Sequence, residues 1–191
     1  MKRCLQLAAC GQQNAKPNPM VGAVLVADDR IIGEGYHVRC GEGHAEVNCF
    51  ASVKPEDEGL LGRATLYVSL EPCSHYGRTP PCADLIVTKG VKRVVVGCID
   101  PFARVSGRGI QRLRDAGIEV RVGVLEREFR WLNRRFITMH THHRPYIILK
   151  WAQTADGFLD DHYQPTMISN AMTQMVSHRL RAESDAILVG R

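Results

Sequence analysis

Three short stretches constrain this chain more than anything else in it: His44-Ala45-Glu46, Glu71-Pro72-Cys73 and Pro80-Pro81-Cys82. One imidazole and two thiols are the donor types that suit Zn²⁺. Three protein ligands leave a tetrahedral ion one open position, and a water there becomes acidic enough to give hydroxide near neutral pH. The carboxylate of Glu46, two residues after the imidazole, is then free to move protons. Residues i and i+2 do not share a helix face. His44 and Glu46 therefore converge only if His44 sits at a helix cap. A rival arrangement stays open, in which Cys40, four residues before His44, completes a closed three-Cys, one-His structural site with no room for chemistry. His75, two residues after Cys73, is a further candidate for the metal, for a substrate or for orienting a ligand.

The rest of the chain reads as a scaffold for those stretches. A helix is expected over Lys2–Gln12, then a rigid Pro17-Asn18-Pro19 loop, since each proline pushes its predecessor toward extended geometry. Met20–Ala27 and Ile31–His37 read as a hairpin turning at Asp28-Asp29-Arg30. A helix over Ala45–Val53, a polar loop over Pro55–Gly62 and a strand over Thr65–Leu70 follow, then a helix over Ala83–Lys89 opened by Pro81-Cys82. A helix N-terminus favours thiolate over thiol, which zinc binding requires. Lys92–Cys98 and Ile118–Val124 read as strands, Ile110–Ala116 as a helix and Leu125–Met139 as one long amphipathic helix. Strand–helix alternation implies a sheet with parallel crossovers and helices on both faces, with the hairpin as its antiparallel edge.

Thr141–Pro145 breaks the pattern. Beyond it, strands are expected over Tyr146–Ala152 and Asp185–Gly190, a turn at Asp156-Gly157 and a helix over Ser177–Glu183. Domains of 1–140 and 145–191 follow. His140, His142 and His143 lack an acidic or Cys neighbour in sequence and are set aside as a metal site. Cys4, Cys10, Cys49 and Cys98 read as small buried hydrophobes.

Seven cysteines without a secreted-type spacing fit a reduced, cytoplasmic chain. No apolar run reaches the ~18 residues of a membrane span. The net charge of +5 is scattered, and the Arg127–Arg135 cluster is interleaved with Glu126 and Glu128. That pattern reads as a solvated helix face and not a nucleic-acid groove.

His-x-Glu followed by Pro-Cys and a second Cys is the arrangement of zinc base deaminases, except that eight residues separate Cys73 from Cys82 where two are usual. Those residues are Ser74-His75-Tyr76-Gly77-Arg78-Thr79-Pro80-Pro81. With Pro17-Asn18-Pro19-Met20-Val21-Gly22 upstream, the chain resembles the deaminase half of the bifunctional riboflavin-biosynthesis deaminase–reductases. The resemblance implies a cytidine-deaminase-like three-layer α/β/α fold with a mixed central sheet, followed by a truncated segment similar to dihydrofolate reductase. It implies His44, Cys73 and Cys82 as ligands of Zn²⁺ and Glu46 as general acid/base. It implies substrate contacts at Asn18, His37, Arg78 and Asp100. Phe102 departs from the Asn usual in the family, and Arg78 from a Lys seen in some members.

The implied reaction converts 2,5-diamino-6-(5-phosphoribosylamino)pyrimidin-4(3H)-one to 5-amino-6-(5-phosphoribosylamino)uracil. In the second segment, Lys150, Ser169 and Arg181 match positions facing the phosphorylated sugar. Ala152 and Met167 match positions near NADPH. With the later cofactor loops absent, no hydride transfer is expected from these residues. A small phosphorylated pyrimidine is the implied partner, with no nucleic acid and no membrane, and members of the family assemble as homo-oligomers. A nucleoside or nucleic-acid base deaminase, or a structural-zinc binding module, remains as an alternative.

Overall fold

The computed structural model describes residues 1–76, 80–102, 106–164 and 166–189. The chain divides into two compact units, Met1–Tyr146 and Ile147–Arg191. In the first, α1 (Lys2–Cys10) precedes the hairpin β1 (Gly22–Ala27) and β2 (Arg30–Tyr36). Asp28 and Asp29 both take left-handed φ, 50° and 57°, the backbone a two-residue hairpin turn requires. Next come α2 (Ala45–Ala51), a 3-10 helix (Pro55–Arg63), β3 (Thr65–Leu70), α3 (Cys82–Thr88) and β4 (Arg93–Cys98). α4 (Arg108–Asp115), β5 (Glu119–Val122), α5 (Glu126–Leu132) and α6 (Arg134–His142) complete it.

Among the described residues the strands form one sheet in the order β2-β1-β3-β4-β5. β3, β4 and β5 run parallel, while β1 is antiparallel to both β2 and β3. The central strands are near-continuous apolar runs because both faces are covered. One core joins Leu25, Leu66, Val68, Val94 and Val96 to Cys49 of α2, Ile86 of α3 and Leu113 of α4. The other joins Val24, Leu70 and Cys98 to Cys4 and Leu7 of α1 and Phe129 of α5. The result is the expected three-layer α/β/α architecture with a mixed sheet. Leu70 lies opposite Cys98 in the parallel pair, so the chain leaves β3 and β4 side by side at their carboxyl ends, where open α/β sheets bind ligands.

Several expectations need correction. Pro55–Arg63 is a 3-10 helix in place of the expected loop over Pro55–Gly62; Asp57 in its first turn is gripped by both terminal guanidinium nitrogens, Nη1 and Nη2, of Arg30. The single helix expected over Leu125–Met139 is two, broken at Asn133 (φ −94°, ψ 19°), whose side chain is engaged elsewhere. Cys10 is exposed, whereas Cys4, Cys49 and Cys98 are buried. Beyond residue 145 the expected strands over Tyr146–Ala152 and Asp185–Gly190 do not form among the described residues, where only Asp161 and Gln164 make a bridge. An extended segment becomes a strand only beside a hydrogen-bonding neighbour. The expected helix starts earlier and spans α7 (Ala171–Glu183), because the Asn170 side chain accepts the Thr173 N–H at 2.9 Å and caps it. No described helix is long and apolar enough to cross a membrane.

Candidate metal centre and active site

His44 is the N-cap of α2, with extended φ/ψ of −69° and 167°. The condition set by the His-x-Glu spacing is therefore met: the imidazole leaves the helix before Glu46 enters its first turn. Cys73 follows β3, and Cys82 opens α3 directly after Pro81. His44 Nδ1 lies 3.6 Å from Cys73 Sγ and 3.4 Å from Cys82 Sγ. The three donor atoms all fall within 4.8 Å of one another. Zn–N and Zn–S bonds of about 2.0–2.3 Å put tetrahedral ligand atoms roughly 3.6–3.8 Å apart, so this donor set fits one zinc ion. Among the described residues no fourth ligand joins them, and Cys40 is exposed and outside the group. Among the described residues the closed three-Cys, one-His site is therefore not formed.

The electrostatics agree with this chemistry. The Cys73 thiol is held far below its ordinary pKa, first by the hydrogen bond from the Cys82 thiol, with His44 and the Cys82 backbone N–H (3.2 Å) adding to it. Cys82 keeps the proton and moves up, again because of that shared hydrogen bond. The pair thus holds one thiolate ready, and a divalent metal bound there would displace the second proton. The hydrogen bond with Cys73 also raises the His44 pKa. Glu46 is only 3% exposed. Burial, reinforced by the Cys73 charge, pushes its pKa up to about 7.

Of the four residues expected to meet substrate, the structure sets His37 against His44 and Asn18 against His37, and puts Asp100 beyond the end of β4, where its backbone N–H meets Glu71. His37 is buried, and burial lowers its pKa, so the ring is neutral near pH 7. Its Nδ1 donates to the Gly43 carbonyl at 3.1 Å, because a carbonyl only accepts. Nε2 is then an acceptor, and Asn18 Nδ2 donates to it at 3.1 Å. The His37 ring stands edge-on to His44 with centroids 5.4 Å apart. Asp100 follows β4, is buried, and has its pKa raised by that burial; its Oδ1 accepts the Phe102 N–H at 2.8 Å. The Phe102 ring lies 6.4 Å from His75 and 5.2 Å from His140, edge-on to each. Arg78 lies outside the described residues. In the second unit, Lys150, Ala152, Met167, Ser169 and Arg181 all line one open cleft of about 430 Å³.

Two residues escaped the sequence reading. Buried Glu71 accepts the N–H groups of Gly107 and Gly109 at 2.9 Å, and of Asp100 and Ile110 at 3.3 Å. It ties the Cys73 loop to the Asp100 loop and to the start of α4. A side chain at Gly109 would strike the Pro72 carbonyl, so the helix can approach only without one. An acid closing an apolar strand was the available signal. The other residue, Asn133, accepts the Met20 N–H at 2.8 Å and donates to the Met20 carbonyl at 2.9 Å. Nothing local in the sequence marks it.

Residues 1–98 match the family profile described as the cytidine and deoxycytidylate deaminase zinc-binding region. Residues 145–191 match the RibD C-terminal domain. The chain is 49% identical to the riboflavin biosynthesis protein RibD of Aquifex aeolicus, over all of this chain and 52% of that protein. The crystal structure of a diaminohydroxyphosphoribosylaminopyrimidine deaminase/5-amino-6-(5-phosphoribosylamino)uracil reductase from Thermotoga maritima matches with TM-score 0.88 and 46% identity over 95% of this chain and 51% of that one. RibD of Acinetobacter baumannii matches with TM-score 0.86 and 42% identity, over 96% of this chain and 51% of that one. The chain thus spans about half the length of each of these three relatives.

Proposed function

The chain belongs to the cytidine and deoxycytidylate deaminase zinc-binding family, and on that premise we propose that it hydrolytically deaminates 2,5-diamino-6-(5-phosphoribosylamino)pyrimidin-4(3H)-one to 5-amino-6-(5-phosphoribosylamino)uracil. The observation that carries the reading is the trio of His44, Cys73 and Cys82 donor atoms beside a buried Glu46 that is not one of them. The choice of pyrimidine rests on similarity to RibD proteins.

His44, Cys73 and Cys82 would hold zinc, which would supply the Lewis acidity that makes a water reactive near neutral pH. Glu46 takes a proton from the attacking water on a carboxylate oxygen. It delivers that proton to the ring nitrogen beside the attacked carbon, then takes the proton of the added hydroxyl and passes it to the exocyclic amine, so that the C–N bond breaks, ammonia leaves and the carbonyl forms. Burial raises the Glu46 pKa above the ordinary carboxylate range, the direction that suits a group that must both accept and give a proton. Burial keeps bulk water away from the carboxylate. Asn18 and His37 hold the ring, with His37 neutral in the tautomer its Gly43 contact selects. Asp100 presents its carboxyl from the adjacent strand end, and Arg78 offers a guanidinium suited to bidentate contact with the phosphate. Phe102, ringed by His75 and His140, adds an apolar wall where the family's Asn would make a polar contact.

Residues 145–191 are read as the opening part of an NADPH-dependent reductase unit. Lys150, Ser169 and Arg181 would face the sugar phosphate, and the backbone near Ala152 and Met167 would face the cofactor. Their shared cleft supports that reading.

The test is ammonia release from the diaminopyrimidinone phosphate, with and without a chelator. Turnover should need zinc. Glu46→Gln should keep one zinc per chain and lose about 100-fold or more in kcat. Full activity in that variant, or no ammonia from zinc-loaded protein, overturns the proposal.

A further inference from the structure

Asn133 is 3% exposed and sits at the break between α5 and α6. Its carboxamide engages both backbone groups of one distant residue: Oδ1 accepts the Met20 N–H at 2.8 Å and Nδ2 donates to the Met20 carbonyl at 2.9 Å. Met20 belongs to no strand, so this clasp does for it what a sheet partner would do.

The clasp bears on the site in two directions. Backward along the chain lie Pro19 and Asn18. Pro19 has its φ locked by the ring, and the residue before a proline is confined to extended geometry. Only two soft torsions, ψ of Pro19 and the restricted ψ of Asn18, separate the held Met20 nitrogen from the Asn18 side chain. Forward lies Val21, whose carbonyl accepts the His37 N–H at 2.9 Å. The two residues thus anchored then meet each other, Asn18 Nδ2 on His37 Nε2 at 3.1 Å. The His37 ring in turn stands against His44.

We propose that Asn133 is a positioning residue that sets Asn18 and His37 for substrate through the backbone of Met20. The inference rests on the reading of Asn18 and His37 as substrate contacts. A purely structural staple between the α5–α6 break and the segment before β1 would lower stability when removed, but would leave substrate affinity alone.

Asn133→Ala and the near-isosteric Asn133→Asp, which keeps an acceptor for the Met20 N–H but loses the donor, are compared in the zinc-loaded 191-residue chain with Leu113→Ala. Leu113 is buried in the other core and serves as the destabilised control. Measured well below the melting temperature, KM for the diaminopyrimidinone phosphate should rise about tenfold in Asn133→Ala, as for loss of about one well-aligned hydrogen bond, with kcat within about twofold. Asn133→Asp should fall between, zinc content should not change, and Leu113→Ala should keep the wild-type KM. In parallel, the ¹⁵N-resolved side-chain amide signals of Asn18 should shift and broaden in both Asn133 variants and stay put in Leu113→Ala. Unmoved amide signals with an unchanged KM overturn the inference. If wild-type protein releases no ammonia, the functional reading fails, and the amide signals still decide whether the clasp positions Asn18.

Discussion

Replacing Glu71 by Gln changes almost nothing in size and should cost a large share of the stability of the first unit. Oε1 of Glu71 serves Gly109 and Ile110, and Oε2 serves Asp100 and Gly107. A glutamine keeps one oxygen and turns an NH₂ group toward the other two donors. Two hydrogen bonds to a carboxylate are lost, each worth roughly 1.5–3 kcal/mol, and two buried N–H groups face a donor instead of an acceptor. A cost of about 3–5 kcal/mol follows, against a total domain stability of about 5–15 kcal/mol. At roughly 2–4 °C per kcal/mol for a chain of this size, the melting temperature should fall by about 10 °C. Urea unfolding followed by far-UV circular dichroism, with equal m-values for the two proteins, measures the difference. A variant within about 1 kcal/mol of wild type would refute the claim that this carboxylate holds the Cys73 loop, the Asp100 loop and α4 together.

Cys40 is exposed and outside the donor cluster, so Cys40→Ser should leave zinc stoichiometry and turnover unchanged; a drop in bound zinc by atomic absorption would revive the closed site. Asp57 should give the fold an acid-sensitive component. Its hydrogen bonds with Arg30 hold its pKa below the ordinary carboxylate value, so the native state binds fewer protons there than the unfolded chain. That stabilisation is fully present above the unfolded pKa of about 3.9 and is lost as pH falls through the lower folded value. Asp57→Asn should therefore melt below wild type at pH 7, with the gap closing under about pH 4; a gap that persists in acid would show the pair does not matter.

The chemistry was legible because donor type and order are properties of the sequence. One imidazole, two thiols and a spare carboxylate name the metal and the kind of reaction wherever they meet. The apolar strand runs likewise announced a sheet covered on both faces, and Lys2, Thr65 and Leu70 bound elements where expected. What could not be read lies in contacts between residues far apart in the chain. The amphipathic pattern from Leu125 onward predicts one helix, and only Met20, 113 positions from Asn133, explains why there are two. The strands expected beyond Tyr146 had the composition but no neighbour to pair with among the described residues. Whether Cys40 or an open position completes the metal's coordination depended on how a loop is aimed, which spacing alone leaves free. Side-chain chemistry is local and survives in a string of letters; hydrogen-bond partners and open coordination positions exist only once separate segments are brought face to face.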